Sequence, residues 1–180
     1  MKLYISPRPQ LNHPPFASAS YRFRLSDGLA ELIDRWRYTR MVTLQFNDAK
    51  TGYLPVNGRS EAIRRALRGW DARINRHLLG RYWSSSPDRT FCFYVPEKIS
   101  ASPHWRGLVR FFTDDLEWRR EQEWEFDQRA PAAWSEVVPQ GTCVVSPVSD
   151  QISAREYLAK SLPYDVNYEH VVVPDEFLVR

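Results

Sequence analysis

The stretch HWRGLVR, residues 104–110, alternates in a way that predicts a β-strand with two unlike faces. Side chains two residues apart in a strand point to the same side. Trp105 and Val109 belong to the face that we assign to the core, and Gly107 leaves a gap there that another backbone or a ligand could enter. The other face carries His104, Arg106, Leu108 and Arg110. We therefore expect a basic surface on one side of the sheet and apolar packing on the other.

A second strand, rich in aromatic residues, is predicted just upstream at residues 89–95. Pro96 is expected to end this strand, and the turn at 100–103 joins it to the next one. The two strands together predict a hairpin. In such a hairpin Glu97 can reach the face that carries His104.

Upstream of the hairpin, a strand is predicted at residues 40–46 and a helix at 60–79 that Gly80 closes. An irregular arm and a short helix precede them. Downstream, Thr113 is expected to cap a helix that reaches residue 138 with an interruption near Pro131. A short strand follows at 142–145.

The sequence SARE at residues 153–156 is a capping box, and it starts a last helix that Pro163 must stop. The tail at 171–173 could add an edge strand. The order β-α-β-β-α-β resembles the split βαβ, or ferredoxin-like, arrangement, an α+β fold with an antiparallel sheet flanked by helices. We expect a single domain, with an N-terminal arm and helix at 1–39 and the main body at 40–180. Since this fold serves many functions, particular residues have to indicate the function.

Charge is distributed unevenly along the chain. Residues 1–112 carry 19 Lys and Arg against 8 Asp and Glu, a formal charge of +11, whereas residues 113–180 carry 6 against 14, a charge of −8. A basic surface beside an acidic segment is typical of an anionic partner held on one side, although a bipolar surface without a partner fits too. The chain has two cysteines and neither a signal-peptide run nor an apolar stretch of membrane length, which favours a cytoplasmic protein without disulfides.

Tyr157 and Lys160, three residues apart on the last predicted helix, are the candidate catalytic pair. A tyrosine hydroxyl is a weak nucleophile at its ordinary pKa of about 10, so it needs positive charge nearby. We place Tyr157 in the first turn, where the helix dipole favours a phenolate, and the Lys160 ammonium acts in the same sense. The alternative is an aromatic–lysine pair on the outside of an amphipathic helix.

His104 and Glu97 are the candidate metal ligands. A neutral imidazole and a carboxylate together suit Mn²⁺ or Mg²⁺ better than a structural zinc ion. Taken singly, His104 also fits a surface histidine after a turn, and Glu97 fits ordinary turn composition.

Three motifs, in this order, make the chain similar to the HUH-type endonucleases, in particular to the replication initiator (Rep) proteins of rolling-circle plasmids, phages and small DNA viruses. MVTLQF at 41–46 resembles the first motif of that family, and HWR at 104–106 resembles its His-hydrophobic-His motif. YLAK at 157–160 resembles its Tyr-x-x-Lys motif. The resemblance covers residues 40–162.

This resemblance implies a specific reaction. In the family, two histidines, often with a third acidic or polar residue, bind Mg²⁺ or Mn²⁺, and the ion polarises a phosphate of single-stranded DNA. The tyrosine attacks that phosphate and stays attached as a 5′-phosphotyrosine, leaving a free 3′-hydroxyl. Carried over by position, Tyr157 is the nucleophile and Lys160 its assistant, whereas His104 and Glu97 bind the metal. The implied partner is single-stranded or hairpin DNA. The chain has no Gly-x-x-x-x-Gly-Lys-Ser/Thr loop, so unwinding would need a separate helicase.

Arg106 stands where the family has its second histidine. Arginine has only donors and stays charged, so it cannot bind a metal ion, but it can clamp a phosphate with two hydrogen bonds. Either Arg106 turns away and the metal is held weakly, or the site loses its metal and nicking becomes slow or absent. In the second case the chain is a DNA-binding module that recognises origin or hairpin DNA. An RNA-binding or structural ferredoxin-like domain is a further alternative.

An arginine-rich helix at residues 59–81 extends the predicted DNA-binding surface. Phosphate contacts of this kind give salt-dependent affinity without sequence preference, although a solvated amphipathic helix fits the same pattern. Trp83, Tyr94 and Trp105 could stack on unpaired bases or pack in the core. The candidate DNA-binding residues are Arg64, Arg65, Arg68, Arg73, Arg76, Arg106 and Arg110.

Overall fold

The computed structural model describes residues 31, 33, 36–47, 56–97, 104–161 and 171–172, without the side chains of 56–60, 155 and 159–161. Most of the predicted N-terminal arm and helix, residues 1–39, lies outside the described residues. The elements are β1 (Arg40–Gln45), α1 (Val56–Leu79), a 3-10 helix (Gly80–Ser85), β2 (Phe91–Glu97), β3 (His104–Arg110), α2 (Leu116–Val137), β4 (Thr142–Pro147) and α3 (Gln151–Ser161). The predicted α+β class is confirmed.

The four strands form one antiparallel sheet in the order β2-β3-β1-β4. The predicted hairpin of β2 and β3 is confirmed, and β1 lies between β3 and β4. On the outer side of β2, the Tyr94 N–H donates to the Val172 carbonyl at 2.9 Å, and the Val172 N–H donates back at 3.0 Å. Among the described residues, the tail pairs with this edge at Val172, where an edge strand was predicted.

One face of the sheet is covered by α1 and α2. The predicted apolar stripe of α1 is buried at Ile63, Leu67, Trp70 and Ile74. Trp70 also ties the two helices together, because its indole N–H donates to the Ala130 carbonyl at 3.0 Å. The helix ends before Gly80, whose φ of 73° suits the left-handed position that follows a helix, as predicted.

Gly107 lies on this covered face, and the gap that it leaves is filled by the core. A Cβ atom at this position would come within 2.8 Å of Cys92 Sγ, 2.9 Å of Val42 Cγ2 and 3.0 Å of Tyr94 Cδ1. The expectation of space for a ligand or a further backbone was therefore wrong. The glycine instead allows three neighbouring side chains to close over the centre of the sheet.

Pro96 does not end β2, which continues to Glu97. The Tyr94 N–H points away from β3 towards Val172, and a residue two positions later has the same orientation. The N–H that proline lacks would thus face the outer edge, so no hydrogen bond to β3 is lost. This continuation carries Glu97 into register with His104.

The predicted interruption at Pro131 and the predicted cap at Thr113 were also wrong. Helix α2 runs without a break from Leu116 to Val137, with Pro131 on its exposed side. Asp115 caps it, because its carboxylate accepts the N–H groups of Glu117 and Trp118 at 2.9 and 3.0 Å.

The second face of the sheet is covered only in part. Helix α3 buries Ala154 and Leu158 in a cluster with Phe93, Val95 and Leu108, over β2 and β3. The β4 side chains on this face, Thr142, Val144 and Ser146, are exposed. In the part of the chain that the structure describes, the β4 side of this face therefore stays exposed beside α3, and we call it the open half of the face. Among the described residues, none of the helices is both long and apolar enough to span a bilayer.

Candidate active site

The hairpin brings Glu97 and His104 directly opposite each other. The sequence predicted only that Glu97 could reach the face of His104, because the strand was expected to end at Pro96. The imidazole Nε2 of His104 lies 2.8 Å from the Glu97 carboxylate oxygen Oε2. The His104 side chain is 8% exposed and that of Glu97 is 19% exposed. This pair therefore sits at the sheet surface but is largely shielded from water.

Arg106 joins the pair from the same face of β3. Its Nε–H donates to Oε2 of Glu97, the oxygen that also faces His104. Partial burial by itself would raise the pKa of Glu97, but the hydrogen bonds from Arg106 and His104 outweigh burial and hold this pKa below its ordinary value. Glu97 is thus a carboxylate with two nitrogen partners on β3.

Helix α3 adds Tyr157 to this group. Because Ala154 and Leu158 are buried against the sheet, the neighbouring Tyr157 lies at the border between α3 and the open half of the face. The guanidinium carbon of Arg106 lies 4.3 Å from the centre of the Tyr157 ring, in a cation–π contact. The ring is 39% exposed. We refer to Glu97, His104, Arg106 and Tyr157 as the Tyr157 cluster.

The start of α3 differs from the prediction. The cap is Asp150 rather than Ser153, because its carboxylate accepts the N–H groups of Ile152 and Ser153 at 3.1 and 3.0 Å and the Ser153 hydroxyl at 2.5 Å. Tyr157 therefore lies in the second turn, where the helix dipole acts more weakly than in the first. Arg106 is the positive charge that the described residues place on this ring.

Lys160 belongs to α3, but its side chain lies outside the described residues. Its assignment as assistant to Tyr157 therefore stays a prediction.

The cluster offers a poor set of donors for Mn²⁺ or Mg²⁺. Glu97 and His104 are bonded to each other, and the Glu97 carboxylate also holds the Arg106 guanidinium. Within the described ranges, no three His, Cys, Asp or Glu side chains converge on one point. A divalent ion at Glu97 would have to displace a cation that has no lone pair to contribute. These side chains, as they are arranged, do not fit the metal site that the resemblance implies.

Two polar residues of β1 extend the surface of the cluster, and the sequence reasoning missed them. Gln45 lies opposite His104 and accepts a hydrogen bond at its Oε1 from the Thr142 hydroxyl at 2.7 Å. Thr43 lies opposite Arg106. The signal was present in the alternation of the strand at 40–46, whose polar positions share the face of His104. The result is a polar floor that leads from the cluster towards β4.

The other predicted DNA-binding arginines lie elsewhere. Helix α1 covers the opposite face of the sheet, so its arginines do not meet the Tyr157 cluster. Arg73 contacts Glu136 of α2 at 3.3 Å. Arg110 shares the face of Arg106, but it lies between the rings of Trp36 and Phe112, at 4.1 and 4.2 Å. The exposed members on α1 are Arg65, Arg68, Arg73 and Arg76, with Arg64 partly buried.

Tyr94 and Trp105 are core residues, with 0% and 2% of their surface exposed. They cannot stack on bases, whereas the partly exposed Trp83 lies on the 3-10 helix. A scan against protein-family models, a search of curated proteins and a search of solved structures each found no match. The cluster must therefore be interpreted from its own geometry.

Proposed function

We propose that the chain is a Rep-like, HUH-type domain that nicks and joins single-stranded DNA through Tyr157. One observation carries the proposal. Residues from three separate elements, chosen from the sequence for one reaction, converge: Glu97 ends β2, His104 and Arg106 lie on β3, and Tyr157 comes from α3.

The sheet supports the same proposal. The order β2-β3-β1-β4, all antiparallel, with α1 between β1 and β2 and α2 between β3 and β4, is the connectivity expected of a split βαβ, ferredoxin-like domain. The open half of the face, next to the cluster, exposes Thr142, Val144 and Ser146 on a surface across which a single strand could lie. We propose single-stranded or hairpin DNA as the partner, with unwinding left to a separate helicase.

In the proposed reaction the phenol oxygen of Tyr157 attacks the phosphorus atom of a DNA phosphodiester. The phenol gives up its proton as a bond from its oxygen to phosphorus forms, and the bond from phosphorus to the 3′ oxygen breaks. The departing oxygen takes up a proton and becomes a free 3′-hydroxyl, while the downstream strand remains attached as a 5′-phosphotyrosine. Joining is the reverse attack by a 3′-hydroxyl. The energy of the phosphodiester is kept in the tyrosyl ester, so no cofactor energy is needed.

The cluster supplies groups that suit this reaction. Arg106 places a positive charge against the attacking residue and has the planar donors that phosphate oxygens accept. Glu97 orients both Arg106 and His104 through its single oxygen Oε2. His104 is the imidazole of this cluster, so it is suited to move the proton that the 3′ oxygen needs.

The test uses a pool of single-stranded and hairpin oligonucleotides of randomised sequence, labelled at the 3′ end. Since the protein stays on the 5′-phosphate of the downstream fragment, which carries the label, the label should migrate with the protein under denaturing conditions. Tyr157→Phe should abolish the labelled band. Tyr82→Phe is the matched control, because Tyr82 is 65% exposed and also lies under an arginine, Arg81, at 4.4 Å.

A second function is favoured by the ion pair of Glu97 and Arg106, which neutralises the cluster. In that case the chain binds origin or hairpin DNA without cutting it. Retention of the DNA pool without a covalent band would support this binding role and contradict nicking. Failure to retain any DNA would contradict both and leave the RNA-binding or structural alternative.

A further inference from the structure

The donors of Arg106 are only partly used. Its Nε–H is held by Glu97, and its guanidinium lies on the Tyr157 ring at 4.3 Å. The two terminal nitrogens, Nη1 and Nη2, have no hydrogen-bond partner among the residues that the structure describes. The side chain is 19% exposed. A planar cation is therefore fixed on two sides and keeps its terminal donors for a ligand.

These donors match an oxyanion. A guanidinium binds a phosphate through two parallel N–H bonds. Because a carboxylate and a ring already hold the Arg106 guanidinium, it loses less conformational freedom when it binds a ligand. A phosphate bound there lies beside the Tyr157 ring, where the nucleophile needs it. The ligand that fits is a DNA phosphodiester that lies across the open half of the face.

Arg106 stands at the position of the family's second histidine and binds the carboxylate that a divalent ion would need. Arg106 can therefore perform the two roles expected of the ion, which are to orient the phosphate and to stabilise the charge that develops on its oxygens.

We propose that Arg106 replaces the metal ion, so that the DNA phosphate is bound by its guanidinium and Tyr157 forms the phosphotyrosine bond without a divalent cation. This inference rests on the proposed nicking function. Bond formation from the Tyr157 oxygen to phosphorus and the departure of the 3′ oxygen are unchanged, and only the source of positive charge differs. Glu97 is then a positioning residue for Arg106 rather than a metal ligand.

The experiment compares covalent adduct formation on the same 3′-labelled DNA pool in excess EDTA and in Mn²⁺. The wild-type protein should give equal adduct yields in both. Arg106→Ala should lower the rate about 100-fold, in line with the loss of one preorganised oxyanion donor. Arg106→Lys, which keeps the charge but loses the fork, should lower it about 10-fold. Arg129→Ala, which removes an arginine of α2 that pairs with Glu136 and lies outside both predicted DNA-binding regions, is the control and should leave the rate unchanged.

The variant Arg106→His tests the inference from the opposite direction, because its adduct formation should need a metal ion. It restores two histidines on the face of β3, so any adduct that it forms should depend on Mn²⁺ and disappear in EDTA. A wild-type adduct that requires Mn²⁺ would overturn the inference and leave the nicking function standing. Absence of an adduct in both conditions would overturn the nicking function, and the inference with it.

Discussion

The contacts of Glu97 depend on where strand β2 ends. Had β2 stopped at Pro96, this carboxylate would lie in a turn instead of accepting hydrogen bonds from His104 and Arg106. The pKa of Glu97 is held below its ordinary value by those bonds. Its contribution to stability is therefore present above the unfolded pKa and is lost as the pH falls through the lower folded value.

Asp71 is a buried carboxyl group that should make the stability depend on pH in the opposite sense. It is 2% exposed, and burial, only partly offset by Arg89 and Asn75, raises its pKa to about 7. A raised folded pKa means that the contribution of the group to stability is present below its unfolded pKa and is lost as the pH rises through 7.

Asp71→Asn removes this titration with little change of shape. The free energy of unfolding of the variant minus that of the wild type should therefore be about 2–4 kcal/mol larger at pH 8 than at pH 4. This change corresponds to up to about three pKa units. Urea unfolding at the two pH values measures the gain. An equal difference at both pH values would contradict the assignment of an ionising, buried Asp71.

Gly107→Ala tests the packing at the centre of the sheet. The added methyl group would meet Cys92, Val42 and Tyr94 at 3.0 Å or less, so the variant should lose about 1–3 kcal/mol of stability. Gly69→Ala is the control, because its methyl group meets only ordinary contacts of 3.5–3.7 Å in the middle of α1 and should stabilise the helix by about 1 kcal/mol. If urea unfolding showed both variants to be equally stable, the tight packing described for Gly107 would be refuted.

At the scale of the elements, α3 is the one that completes the cluster. Its start is held by the Asp150 cap and by Gln151, which exchanges hydrogen bonds of 3.1 and 2.6 Å with the backbone of Tyr38. Its buried residues Ala154 and Leu158 then set the rotation that puts Tyr157 beside Arg106.

Asp150→Ala should loosen this arrangement, because two backbone N–H groups and the Ser153 hydroxyl lose their acceptor. We expect a lower free energy of unfolding and slower formation of the covalent adduct. Asp150→Asn, which can still cap the helix, should keep most of both. If adduct formation were as fast in Asp150→Ala as in the wild type, the cap would have no part in positioning Tyr157.

Some elements were predictable because local patterns decide them. The stripe of apolar residues on α1, its end at Gly80 and the alternation of β3 follow from helical and strand periodicity. The effects of Pro96 and Pro131 were predicted wrongly, because the effect of a proline depends on which side of the strand or helix it faces. The missing N–H of Pro96 faces an outer edge, and Pro131 lies on the exposed side of a helix packed through Ala130 and Trp134.

The candidate site was likewise predictable only in part. Strand alternation placed His104 and Arg106 on one face, and the predicted hairpin brought Glu97 within reach of that face. The stacking of Arg106 on Tyr157 was not predictable, because it depends on how α3 docks on a sheet whose strands come from distant parts of the sequence. Likewise, the arginines of α1 formed one basic pattern with Arg106 in the sequence, yet the sheet separates them.

At the scale of the whole molecule, the sheet therefore separates two candidate DNA-binding surfaces. One is the Tyr157 cluster with its open polar floor, and the other is the exposed side of α1. A short single strand can reach the cluster without touching α1, whereas a hairpin or a longer strand could contact both surfaces. The proposed reaction needs only the first surface, so cutting depends on the cluster and α1 would add affinity that falls with salt.

The central claim is that Tyr157 becomes covalently attached to DNA, and the most direct measurement locates the attachment. The adduct formed with the oligonucleotide pool is digested with a protease and a nuclease, and mass spectrometry then identifies the peptide that carries a nucleotide. We predict a nucleotide joined through its 5′-phosphate to the peptide that contains Tyr157. Attachment at any other residue, or intact DNA with no modified peptide, would contradict the account.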